Sequence, residues 1–119
     1  MNEKLAQTLK LVPTLSGCYI YYDINDEVIY VGKAKNLKRR VYSYFHKKHD
    51  SVKVAILVSN IERMEYIITD SEVEALILES HLIKKYKPKY NILLKDDKKY
   101  PYFLITDEKY PRITIVRKK

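Results

Sequence analysis

The 119-residue sequence has a single cysteine, Cys18, which excludes an internal disulfide and a cysteine-based zinc cluster. No run of 18 apolar residues exists to cross a bilayer, and the opening Met1-Asn2-Glu3-Lys4 lacks the basic-then-apolar layout of a secretory signal. A cytoplasmic protein without a membrane partner is therefore expected. His46, His49 and His81 show no metal-site spacing, so each reads as a surface or loop histidine. With two glycines and four prolines, the chain contains no flexible linker, and no internal repeat is visible. This length suits one compact domain with one core.

What the sequence has in excess is positive charge. Its 23 Lys and Arg against 15 Asp and Glu give a net charge of +8, which points to a polyanion, nucleic acid first. A basic surface kept for solubility is the alternative, and location decides between them. Seven of the basic residues (Lys33, Lys35, Lys38, Arg39, Arg40, Lys47 and Lys48) fall between positions 33 and 48 without one acidic residue. Tyr42 and Tyr44 interrupt the run, as suits contact with a phosphate backbone and splayed bases, although Tyr44 also fits a core position.

Segments 18–23 and 27–32 are rich in β-branched and aromatic residues around the turn formers Ile24-Asn25-Asp26, which predicts a β-hairpin. After Asn36, a capping residue, Leu37, Val41, Tyr44 and Phe45 recur at helical spacing. A short helix is predicted over 51–59, beginning at Asp50 or Ser51, and a third strand over 64–69. Ser71 and Glu74 have capping-box spacing at the start of a long helix that runs to about Tyr86, ahead of Pro88. Residues 102–106 and 112–117 could add another hairpin. The fold class is mixed α/β (α+β), with an antiparallel sheet of at least three strands and flanking helices. The core is expected over about 14–95, in a single domain spanning 1–119 that could be a fragment of a longer protein.

Two charged residues fall on apolar arcs. With Leu37 at zero, Arg40 projects at about 300°, beside Tyr44 at about 340°, whereas Arg39 at about 200° points to solvent. An arginine at the edge of a buried stripe needs an anionic partner. With Val73 at zero, Glu79 projects at about 240°, between Tyr86 and Ile83. Its carboxylate must be protonated, paired with a cation such as Arg40 or a lysine, or bound to metal. A metal with one protein carboxylate would be held mostly by water and substrate oxygens, as suits Mg²⁺.

Gly17-Cys18-Tyr19, a ten-residue interval and Tyr30-Val31-Gly32 resemble the paired motifs of the GIY-YIG nucleases. The longer succession YVGKAKNLKRR from Tyr30 to Arg40, Glu79 on a helix, LIKKYKPKYN from Leu82 to Asn91, and LKDD from Leu94 is similar to the UvrC branch of that family from about residue 10 onward. Cys18 and Val31 replace the isoleucines of the motif name, and Ser16 stands where UvrC-like sequences often carry proline.

The resemblance implies a DNA endonuclease that makes the 3′ incision at a lesion in nucleotide excision repair. Its implied catalytic set is Tyr19, Tyr30, Lys33, Arg40 and Asn91, with Glu79 holding a single Mg²⁺ or Mn²⁺. The implied partners are lesion-containing double-stranded DNA and the UvrB–DNA complex. Lys35, Lys38, Arg39, Tyr44, Lys47 and Lys48 are the expected DNA contacts. A tyrosinate is the expected base, Tyr30 being favoured over Tyr19 because it is nearer in sequence to Lys33 and Arg40. Lys33 would orient the water or lower a tyrosine pKa, and Asn91 would position the tyrosines or the Glu79 helix. A stand-alone or structure-specific GIY-YIG nuclease and a non-catalytic basic DNA-binding module are the rival readings.

Overall fold

A computed structural model describes residues 2–46 and 51–96. Lys47, Lys48, His49 and the expected hairpin over 100–119 lie outside the described residues. The sheet has three antiparallel strands in the order β2-β1-β3: β1 is Gly17–Tyr22, β2 is Val28–Ala34 and β3 is Arg63–Ile68. The hairpin turn closes with Asp26 at φ 65°, a left-handed conformation that aspartate tolerates, while Asp23 Oδ1 accepts from the backbone N–H groups of Asn25 and Glu27.

The register fixes what shares a face. Tyr19 pairs with Gly32, Tyr21 with Tyr30 and Gly17 with Ala34, so Tyr19, Tyr21 and Tyr30 all project to one side. Helices α1 (Glu3–Leu11) and α2 (Leu37–His46) cover that side with Leu5, Leu9, Leu37, Val41 and Tyr44. Leu57 of α3 (Val52–Asn60) and Tyr90 of α5 (Lys89–Leu93) complete the same cluster. Cys18, Ile20 and Val31 project to the opposite side, where α4 (Glu72–Tyr86) packs over β1 and β2. There the buried Cys18 Sγ donates to the Ala75 carbonyl at 3.1 Å, and burial first of all pushes its thiol up to about 11, so it is structural.

Local capping sets the helix starts. Asn36 Oδ1 accepts from the Arg39 N–H, Ser51 Oγ from Val54 and Ser71 Oγ from Glu74. The reciprocal contact of Glu74 falls on the Asp70 N–H rather than on the cap residue's own. Lys87 ends α4 in a left-handed conformation at φ 45°, and Pro88 then caps α5.

Two helices were not anticipated. In α1 only Leu5 and Leu9 are buried, so the apolar repeat is a single i, i+4 pair, and Asn2 supplies the cap. The core therefore begins at Leu5, ahead of residue 14. Helix α5 restarts directly after the proline that stops α4, over a length too short for periodicity to register.

Candidate active site

Four tyrosines meet beneath α2. Tyr19 and Tyr21 come from β1, Tyr30 from β2 and Tyr44 from α2, with ring centroids 5.2 to 6.3 Å apart. All four are at least 90% buried, from 0% exposure at Tyr21 to 7% at Tyr44. The hydroxyls of Tyr19 and Tyr44 share a hydrogen bond at 2.8 Å, and Tyr30 bonds to Tyr44 in turn. Arg40 Nε donates a long 3.4 Å contact to the Tyr19 oxygen, and its guanidinium lies 5.7 Å from the Tyr44 ring centroid.

Gly32 makes this arrangement possible. A Cβ there would fall inside the phenol of Tyr19, whose ring crosses the strand at that point. The terminal glycine of the second motif is thus a packing requirement of the tyrosine in the first.

Arg39 and Arg40 are both exposed residues, but only Arg40 turns its fork onto the tyrosines. Its guanidinium is held protonated first by Tyr19, so where an anionic partner was expected the structure supplies a set of phenols. Burial is the first cause that raises the phenols of Tyr19, Tyr30 and Tyr44 above the usual tyrosine value, with Arg40 acting in the opposite direction on each. A tyrosine pKa lowered by its surroundings is therefore not a property of the protein alone.

Glu79 sits half-buried on the sheet-facing side of α4, one turn after the buried Ala75. After burial, the charge of Glu79 is a further cause that raises both the Cys18 thiol and the Tyr30 phenol. Lys33 is exposed, points with Cys18 to the α4 side, and acts electrostatically on that thiol. Asn91 grips the strand beside Tyr30: its Oδ1 accepts from the Val31 N–H and its Nδ2 donates to the Val31 carbonyl, both at 2.8 Å.

Among the described residues, no three His, Cys, Asp or Glu side chains gather as a metal site. The donor set is one half-buried carboxylate next to phenols, which fits a hard cation that keeps most of its water.

Lys35, Lys38 and Arg39 line an open groove of about 950 Å³ together with Arg40, Tyr42 and His46. Lys35 also pairs with Glu72 at 3.7 Å, both side chains being well exposed, so that pair adds little stability. Tyr44, expected among the DNA contacts, is instead buried with its hydroxyl engaged by Tyr19; its stripe position on α2 turns it inward. Tyr42 is the aromatic residue that faces the groove. The membership of Tyr21 and Tyr44 in the cluster was not anticipated, although alternation along β1 and the hairpin register already placed Tyr21 beside Tyr30.

The UvrC-like GIY-YIG domain family matches residues 15–92. The UvrABC system protein C of Streptococcus sanguinis is 57% identical over 118 residues, covering 99% of this chain and 19% of that relative. Its counterpart in Streptococcus mutans is 58% identical over 118 residues, covering 99% of this chain and 20% of the relative. The chain thus spans about a fifth of the length of these curated relatives. Among solved structures, the GIY-YIG N-terminal endonuclease domain of UvrC from Thermotoga maritima, bound to its catalytic divalent cation magnesium, is similar at TM-score 0.68 and 41% identity. That match covers 76% of this chain and 99% of the solved one. Other structures of the Thermotoga maritima domain carry a tyrosine replaced by phenylalanine, at any of three positions, or an asparagine replaced by alanine. Family match, sequence identity and fold agree: this chain belongs to the UvrC-like GIY-YIG domain family.

Proposed function

We propose that this chain is a metal-dependent DNA endonuclease domain, hydrolysing a phosphodiester on the 3′ side of a lesion in nucleotide excision repair. The observation that carries the reading is the convergence of Arg40 on the Tyr19–Tyr44–Tyr30 hydroxyls, with the charge of Glu79 acting on Tyr30. Arg40 presents a planar donor fork to a phosphate, held in place by the tyrosines before substrate arrives. Glu79 would hold a divalent cation, Mg²⁺ or Mn²⁺, whose charge stabilises the leaving oxygen and favours ionisation of nearby hydroxyls.

The base is assigned to Tyr19 rather than Tyr30. When Tyr30 donates to Tyr44 and Tyr44 to Tyr19, the Tyr19 oxygen accepts from both Tyr44 and Arg40, which stabilises its phenolate. Asn91 positions Tyr30 by fixing the strand at Val31, and Lys33 adds positive charge at the entrance. Lys35, Lys38, Arg39, Lys47 and Lys48 supply sequence-independent contacts to the DNA backbone. The relation to system protein C supports recruitment by a UvrB–DNA complex on lesion-bearing duplex.

A nicking assay on such a duplex, with Mg²⁺ and the UvrB partner, tests the reading. Glu79→Gln is expected to abolish incision with DNA affinity nearly unchanged. Metal-dependent cutting by the folded variant would remove Glu79 from the metal site.

A further inference from the structure

The groove along α2 holds an aromatic feature that phosphodiester hydrolysis does not use. Tyr42 and His46 stand one helical turn apart with ring centroids 4.7 Å apart and planes inclined by only 20°. The Tyr42 ring packs partly against the core, so its orientation is fixed, and His46 Nδ1 lies 3.2 Å from the Tyr42 carbonyl, which fixes the second ring. Lys38, one turn earlier, brings its ammonium to 6.0 Å from the Tyr42 ring centroid. Cation, phenol and imidazole thus form one column on the helix surface, ending in an exposed imidazole.

This column opens into the same cationic groove that Arg40 lines. From Arg40 to His46 the helix rises about 9 Å, or roughly three base steps of DNA. A π-face at that distance, rimmed by lysine and arginine, has the chemistry of a single-stranded nucleic-acid contact, in which rings carry bases and cations carry phosphates. A fully paired duplex keeps its bases stacked on each other and has no face to offer. We infer that the Tyr42–His46 pair is a stacking platform for an unpaired nucleobase near the phosphate held by Arg40. The inference rests on the DNA-cleaving reading and adds to it a preference for locally unpaired substrate.

The test uses the whole chain without divalent cation, so that binding is read without cutting. Two duplexes of equal length are compared at fixed salt, one with a single unpaired 2-aminopurine and one fully paired. The wild type should alter the 2-aminopurine fluorescence on binding. His46→Ala should weaken binding of the unpaired duplex by about tenfold, the 1.4 kcal/mol scale of one base–aromatic stack, with little change for the paired duplex. His46→Phe should restore the preference. Because Tyr42 touches the core, Tyr42→Phe, which keeps the ring, is run beside Tyr42→Ala to separate stacking from folding. Equal loss on both duplexes, or no loss on either, overturns the platform while leaving DNA binding standing. Failure of the wild type to bind either duplex overturns the DNA reading and the platform with it.

Discussion

Tyr21→Phe should stabilise the protein. The Tyr21 ring is fully buried, 5.2 Å from the centroids of both Tyr19 and Tyr44, 6.2 Å from Tyr30 and 6.0 Å from Phe45, and phenylalanine keeps every one of these ring contacts. Its hydroxyl, by contrast, is a buried polar group without a hydrogen-bond partner among the described residues. An unsatisfied buried hydroxyl costs about 1–3 kcal/mol, so removing it while preserving shape should recover about 1 kcal/mol. For a domain of this size, that raises the melting temperature by about 4 °C. Tyr44→Phe is the internal control, since it deletes the hydroxyl that bonds Tyr19 and should destabilise by about 1 kcal/mol. Thermal unfolding of the two variants beside wild type, followed by circular dichroism, reads both effects. A melting temperature lowered by Tyr21→Phe would show that the hydroxyl has a partner in solution and would refute the reasoning.

Gly32→Ala should displace the Tyr19 phenol, since the new Cβ would occupy its place; single-turnover incision should fall by about tenfold or more while the domain still folds, as judged by circular dichroism. Reversing Lys35 and Lys38 to glutamate should flatten the slope of log affinity against log salt for any DNA sequence, and an unchanged slope would return these lysines to a solubility role. Alkaline stability follows from the buried phenols: the folded state holds their protons above the unfolded value of about 10, so their contribution is fully present below pH 10 and is lost as pH rises above it. Denaturant unfolding midpoints should therefore fall above pH 10, and midpoints that stay level from pH 9 to 11 would contradict the burial.

How much of this was legible in the sequence depends on whether the information is local. The hairpin, α2, α3, β3 and α4 each carry their own signal, in turn residues, apolar spacing or a capping serine, and each formed within a residue or two of expectation. Helix α1 did not announce itself because two buried leucines make too short a repeat to stand out from chance. Arg40 was legible as special because its angle to Leu37 is a property of one helix, but the nature of its partner was not. That partner is Tyr19, 21 residues earlier on strand β1, and no helical projection relates the two. Tyr44 carried two readings, a DNA contact by charge and a core position by its place in the apolar stripe, and the structure takes the second. A basic run containing a tyrosine reads as a DNA surface, yet α2 has two sides, and the stripe that carries Leu37 and Val41 inward carries Tyr44 with it. Tyr42, two residues away, is rotated by about 200° and remains with the lysines in the groove. Helical phase thus decides which tyrosine of the basic helix meets solvent, so an aromatic residue there has to be placed by its angle to the buried stripe before it is read as a nucleic-acid contact.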